Sequence, residues 1–130
     1  MTIFDHISLT TDRLQDMQSF YEAALAPLGI AKKFYVDRPE GGVAGFGRDR
    51  VEFFIGARTG GTHIPIHLAF RAGSRDEVVA FHAQALAIGG TDNGEPGIRP
   101  KYHDSYFAAF VIDPAGNNVE AVFQGPPRVD

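Results

Sequence analysis

The chain makes one statement twice. Residues 6–29 read HISLTTDRLQDMQSFYEAALAPLG, and residues 67–90 read HLAFRAGSRDEVVAFHAQALAIGG. Laid together without a gap at an offset of 61, His6 meets His67, Phe20 meets Phe81 and Ala24 meets Ala85. Leu25 meets Leu86, Ala26 meets Ala87, Gly29 meets Gly90, and apolar Met17 meets Val78. A fixed offset of this kind signals two copies of one supersecondary unit. Whatever the first half builds, the second half must build again. The repeat also sets one histidine at the same place in each copy, at the head of an apolar alternating segment.

The first copy can be read in order. Ile3 to Thr10 alternates and is β-prone, with Ile7 and Leu9 on one face and Phe4, His6 and Ser8 on the other. Asp12 is placed to cap a helix, with Gln15 at the reciprocal position. Met17, Phe20, Tyr21, Ala24 and Leu28 then follow at helical spacing, and Pro27 with Gly29 ends the helix. Ala31 to Val36, Val43 to Phe46 and Arg50 to Gly56 read as three strands divided by turn signals. The unit is β-α-β-β-β.

The stretch 57–62, with two adjacent glycines, reads as a linker. Beyond it come a strand over Ile64 to Arg71 and a helix over Arg75 to Ile88, capped by Ser74 with Glu77. Residues Gly89 to Pro100 form either a short edge strand or a loop over a pocket. Tyr106 to Ile112 and Asn118 to Phe123 read as strands, divided by a tight turn at Asp113 to Asn117, and the tail from Gln124 to Asp130 as a loose end. The expectation is an α+β fold: one domain over 1–130, built from a module at 1–57 and a second at 63–124.

Several functions are excluded at the outset. Net charge is −4, with no basic stripe to hold nucleic acid. No apolar stretch is long enough for a membrane span. The absence of cysteine removes disulfides, thiolate catalysis and zinc–sulfur sites, and fits a cytoplasmic protein.

The final strands of the two copies, RVEFF and NVEAV, set Glu52 against Glu120 at an offset of 68. Each unit thus offers a histidine on its first strand and a glutamate on its last. If the units pack as related copies, their concave faces bring His6, Glu52, His67 and Glu120 together. Two imidazoles and two carboxylates suit a borderline divalent ion such as Ni, Co, Zn, Fe or Mn. Four such ligands leave two octahedral positions for a substrate that chelates through neighbouring oxygens. A lone strand histidine is more often structural than functional; the recurrence of both residue types in both copies is what favours a site. His63 and His82 look incidental.

At these residues the chain resembles the vicinal oxygen chelate superfamily, which groups glyoxalase I, bleomycin and fosfomycin resistance proteins and extradiol dioxygenases. The resemblance spans nearly the whole chain. It rests on DHISLTT followed by FYEAAL, on IHLAF, and above all on the closing DPAGNNVEAVF. It implies a glyoxalase/bleomycin resistance/dioxygenase fold, with His6, Glu52, His67 and Glu120 as metal ligands in the manner of bacterial glyoxalase I. The dioxygenase pattern would use only His6, His67 and Glu120. Arg99, Tyr102, His103 and Tyr106, in PGIRPKYHDSYF, and Phe54 on the first module are expected substrate contacts.

The activity so implied is that of a metal-dependent lyase or isomerase. Glu52 or Glu120 would move a proton, and one divalent ion, Ni, Co or Zn before Mn or Fe, would polarise the substrate and stabilise an enediolate. An iron-dependent ring-cleaving dioxygenase is the alternative. A binding protein without metal, like the bleomycin-resistance proteins, is the third. The implied partners are a small-molecule substrate and a second copy of the chain, in a cytoplasmic homodimer that binds neither nucleic acid nor membrane.

Overall fold

The computed structural model describes residues 3–125. The expected unit appears twice. In the first, β1 (Ile7–Thr11) leads into α1 (Leu14–Leu25), a short 3₁₀ turn at Ala26–Leu28, and then β2 (Ala31–Val36), β3 (Val43–Gly47) and β4 (Val51–Ala57). In the second, β5 (His67–Arg71) leads into α2 (Arg75–Ala87), β6 (Thr91–Ile98), β7 (Phe107–Ile112) and β8 (Asn118–Phe123). The sheets have matching orders, β1-β4-β3-β2 and β5-β8-β7-β6. In each, the first strand runs parallel to the last, and the last three strands form an antiparallel meander. Among the described residues no helix is long and apolar enough to cross a membrane.

Each helix covers one face of its own sheet, and the aligned residues form the core. Met17 and Val78, Phe20 and Phe81, and Ala24 and Ala85 are all buried. From the strands, Ile7, Leu9, Phe53 and Ile55 point into this layer, as do Leu68, Phe70, Val119 and Ala121. Burying an aromatic of this size is worth roughly 2–3 kcal/mol.

The two layers merge into one cluster. Tyr21 of α1 stands 5.1 Å from Phe53 and 6.4 Å from Phe70 of the other unit, and Phe53 lies 5.5 Å from Phe70. The Tyr21 hydroxyl donates to Asp113 at 2.6 Å. Asp113 sits in the turn before β8 and also accepts from the Ala115 and Asn117 main-chain N–H groups and the Asn117 side-chain amide. The side-chain oxygen of Asn117 accepts from His63 and from the Ile66 N–H. The DPAGN turn is thus a buried polar knot that ties α1, the approach to β5 and the head of β8 together.

Several local expectations need adjusting. Asp12 does not cap α1: the N-cap is Arg13, with no side-chain cap, and Thr11 Oγ1 accepts from the Arg13 N–H instead. The Ser74 cap holds, with its hydroxyl accepting from the Glu77 N–H, but Glu77 reaches back to the Gly73 N–H. Of the two readings open for residues 89–100, the edge strand is the one found: β6 spans Thr91–Ile98 at the edge of its sheet. Its pairing with β7 slips between Asp92 and Gly94 and again between Gly94 and Gly97. Pro96, which has no N–H to give, falls inside the second slip. Of the expected loose tail, residues 126–130 lie outside the described residues.

Candidate functional site

Strand alternation decides what the helix-free faces carry. With Leu68 and Phe70 turned to the core, His67, Ala69 and Arg71 turn to the other face. With Val119 and Ala121 buried under α2, Glu120 turns the same way. His67 Nε2 lies 2.8 Å from Glu120 Oε1, and the Tyr106 hydroxyl donates to Glu120 Oε2 in a short hydrogen bond. Glu120 is only 1% exposed, while the His67 side chain is 51% exposed. A buried carboxylate therefore has both oxygens engaged, and an open imidazole beside it. Burial, and then the hydrogen bond to Glu120, push the Tyr106 hydroxyl above its usual pKa, so it stays a donor.

Arg99, Tyr102 and His103 gather around Tyr106. Tyr102 and His103 place their rings 4.7 and 5.5 Å from the Tyr106 ring. The Arg99 N–H donates to the Tyr106 carbonyl at 2.7 Å. His103 accepts from the Ser105 N–H on Nδ1, which leaves Nε2 to donate to Gln124. Phe110, paired opposite Glu120 on β7, completes the surround, with its ring 6.2 Å from that of His67.

The first unit carries the other half. His6 directly precedes β1. It bonds Asp5 at 2.7 Å and meets Phe54 edge-on at 5.4 Å. The His6 hydrogen bond, and then the Arg50 guanidinium, hold the exposed Asp5 carboxyl below its usual pKa. Glu52 is exposed. Phe54 packs on Phe34 at 5.9 Å and on His6, on the helix-free face. His6, Glu52 and His67 line one cleft of about 500 Å³ between the units, bordered by Arg48 and Arg71. Glu120 does not line it. Among the described residues no three His, Asp or Glu side chains gather closely enough to hold a metal ion.

The register corrects the sequence alignment of the two glutamates. Ile7 pairs with Phe53, and its repeat partner Leu68 pairs with Val119. Phe53 and Val119 are thus equivalent, which makes Phe54 the counterpart of Glu120 and Asn118 the counterpart of Glu52. The offset of 68 is two residues too long. Beside Glu52 the β3–β4 pairing also shifts, between Phe46 and Gly47, so that in that ladder Glu52 has no partner. The glutamates share a face but not a position. The first unit presents an aromatic ring to its histidine where the second presents a carboxylate.

The donor chemistry of the second half suits a divalent ion. Two ligands at about 2.1 Å, cis on one ion, have donor atoms about 3.0 Å apart, and Nε2 and Oε1 stand 2.8 Å apart. His67 must give up its Nε2 proton to act so. His63 and His82 stay outside both halves, bonded to Asn117 and Asp92. Sequence reasoning set Tyr21 on the first helix and Asp113 to Asn117 in a tight turn but missed the bond between them, because the tyrosine that meets the DPAGNN string lies on the other unit.

The comparisons agree with this architecture. The family model of the Glyoxalase/Bleomycin resistance protein/Dioxygenase superfamily matches residues 3–121, and the chain belongs to that superfamily. No curated protein matches the sequence. Among solved structures, a glyoxalase/bleomycin resistance protein from Albidiferax ferrireducens is 27% identical, with 96% of this chain and all of that chain covered, at a TM-score of 0.72. A glyoxalase/bleomycin resistance protein/dioxygenase domain from Frankia is 14% identical over 95% of this chain and 98% of its own, at 0.72. A glyoxalase I mutant from Zea mays shares the fold at 0.71, with 21% identity over 92% of this chain, which spans 46% of the maize chain.

Proposed function

We propose that the chain is a glyoxalase-like, metal-dependent lyase or isomerase acting on a small molecule with two adjacent oxygens. The observation that carries this reading is the His67–Glu120 pair, an open imidazole against a buried carboxylate at ligand spacing on the helix-free face. His67, Glu120 and His6 would hold the ion. A divalent metal there, Ni, Co or Zn before Mn or Fe, would act as a Lewis acid on the substrate's carbonyl oxygen. Tyr106 fixes the carboxylate by holding Oε2, as outer hydrogen bonds orient ligands elsewhere. Glu52 is exposed and stands two residues from the counterpart of Glu120, so we assign it proton transfer rather than ligation. Phe54 and Phe110 are apolar walls that limit water at the reacting carbons.

His6 and Glu52 stand on one sheet, and His67 and Glu120 on the other. A second copy that lays its first sheet over this second sheet would close two sites at once, which supports the homodimer.

A ring-cleaving dioxygenase is the second reading. Phe54 favours it, since it replaces a carboxylate and leaves a two-histidine, one-carboxylate set of the kind used by non-haem iron oxygenases.

Assays of metal-reconstituted protein on hemithioacetals, and on catechols with oxygen, separate the two. The first reading expects hemithioacetal turnover, and a loss of about 10²- to 10⁴-fold in kcat for Glu52→Gln with metal retained. A Glu52→Gln enzyme of full rate would remove Glu52 from the mechanism. Turnover of catechol alone would favour the dioxygenase. Turnover of neither, with ligand binding that survives chelation, would favour a binding protein.

A further inference from the structure

If His67 and Glu120 take the chelating end of a substrate, as the reading above holds, its other end faces a second hollow. This hollow, of about 300 Å³, is formed by Asn93, Arg99, Lys101, Tyr102, Phe110 and Asn118. It adjoins the His67–Glu120 pair across one phenyl ring. The Phe110 ring lies 6.2 Å from the His67 ring, and the Arg99 guanidinium carbon stands 5.4 Å from the centroid of the same Phe110 ring. Asn118 pairs in register with His67 on the neighbouring strand.

The hollow has an excess of donors and of positive charge. Its lining includes two cations and no carboxylate. Among the described residues neither Arg99 nor Lys101 has an acidic partner within salt-bridge distance. Carbonyls hold Arg99 instead: Nη1 donates to Gly97 at 2.9 Å and Nη2 to Glu95 at 2.7 Å. A guanidinium has five N–H donors, so three remain. The glycine-rich edge strand makes room for this arrangement. A Cβ at Gly94 would press to 3.2 Å from Arg99 Nη2 and 2.9 Å from the Phe110 ring. The Lys101 ammonium sits 5.1 Å from the Tyr102 ring centroid. Asn93 donates to the side-chain oxygen of Asn118 at 3.2 Å, which leaves both Asn118 amide hydrogens unused. In a chain of net charge −4, a fixed guanidinium, an ammonium and an open amide converge on one spot.

We propose that this hollow is an anion subsite that binds the carboxylate or phosphate of the substrate. The substrate is then an oxygen-chelating acid, with two adjacent oxygens at the His67–Glu120 end. Its apolar carbons lie over Phe110, and its anionic group meets Arg99, Lys101 and Asn118.

The test is an NMR titration of the metal-free, ¹⁵N-labelled full chain at low salt. It follows the side-chain amides of Asn93 and Asn118 and the Arg99 Nε–H. The probes are glutarate, methyl phosphate and neutral glutaramide. Saturable shifts with a charged probe, weaker at higher ionic strength and absent with glutaramide, are expected. Whichever of glutarate and methyl phosphate binds more tightly identifies the group. Lys101→Met, an exposed change, should weaken binding about threefold. Arg99→Lys, which keeps the charge but loses the fork, should weaken glutarate about tenfold. Equal shifts with glutaramide, no shifts with either anion, or unchanged affinity in both variants would overturn the subsite. No metal enters this titration. Intact anion binding in a protein that never takes up metal would sink the chelate site alone, and the reverse result would sink the subsite alone.

Discussion

Glu120 is where chemistry and stability compete most directly. A carboxylate 1% exposed is tolerable only because His67 and Tyr106 occupy its two oxygens. Burying it without partners would cost several kcal/mol. Tyr106→Phe removes one partner and should destabilise the fold by about 1–3 kcal/mol in urea denaturation. A loss well below that would mean Tyr106 does not hold Glu120. Tyr21 presents the same kind of bond with a clearer pH signature. Burial, and then the charge of Asp113, push its hydroxyl well above the usual value of 10.0. Below that value both states hold the proton and the bond contributes fully. As pH rises past it, the unfolded chain releases the proton first and stability falls. The urea midpoint should therefore drop between roughly pH 9 and 11, and less steeply in Tyr21→Phe; parallel curves would contradict the assignment. The two histidines were legible in the sequence because they recur with their surroundings. The tyrosines were less so, since each bonds a carboxylate remote in sequence.

The register of β4 against β1 separates the two units chemically, because it sets Phe54 where the second unit has Glu120. Matching VEF to VEA set Glu52 against Glu120, but such matching cannot see which residue pairs with β1, nor the bulge that lies beside Glu52. The ladder shows it, where Phe46 faces Phe53 and Gly47 faces Val51. Gly47 makes the shift possible, because a side chain there would collide with the Arg50 carbonyl. Gly47→Ala should cost more than about 2 kcal/mol and move the backbone amide signals of Glu52 to Phe54; a variant as stable as the parent would deny the bulge its role. β6 was ambiguous for a similar reason. Its glycines and Pro96 left an edge strand and a loop both open, and slips in register are what let the edge strand absorb them. The helices and the other strands were plain, because their apolar spacing is regular and the repeat stated it twice.

At the scale of the molecule, duplication explains the architecture. Two units that each bury one sheet face share one core through Tyr21, Phe53 and Phe70, and lock through the Asp113 knot. Each leaves its other face open, with a histidine at its head. The tandem βαβββ fold was legible from the repeat and the family resemblance. The division of the site into two unequal halves was not, because it follows from how the sheets are laid and from one strand's register.

Metal uptake tests the central claim most directly. Chain purified without chelator would be analysed for Ni, Co, Zn, Mn and Fe, and the metal-free form titrated with each, beside His67→Ala, Glu120→Ala and Glu52→Gln. The account predicts about one tightly held ion per chain in the parent and in Glu52→Gln. It predicts no tight binding in His67→Ala or Glu120→Ala, each still folded by circular dichroism. No metal in the parent, or full stoichiometry in either of those two variants, would contradict it.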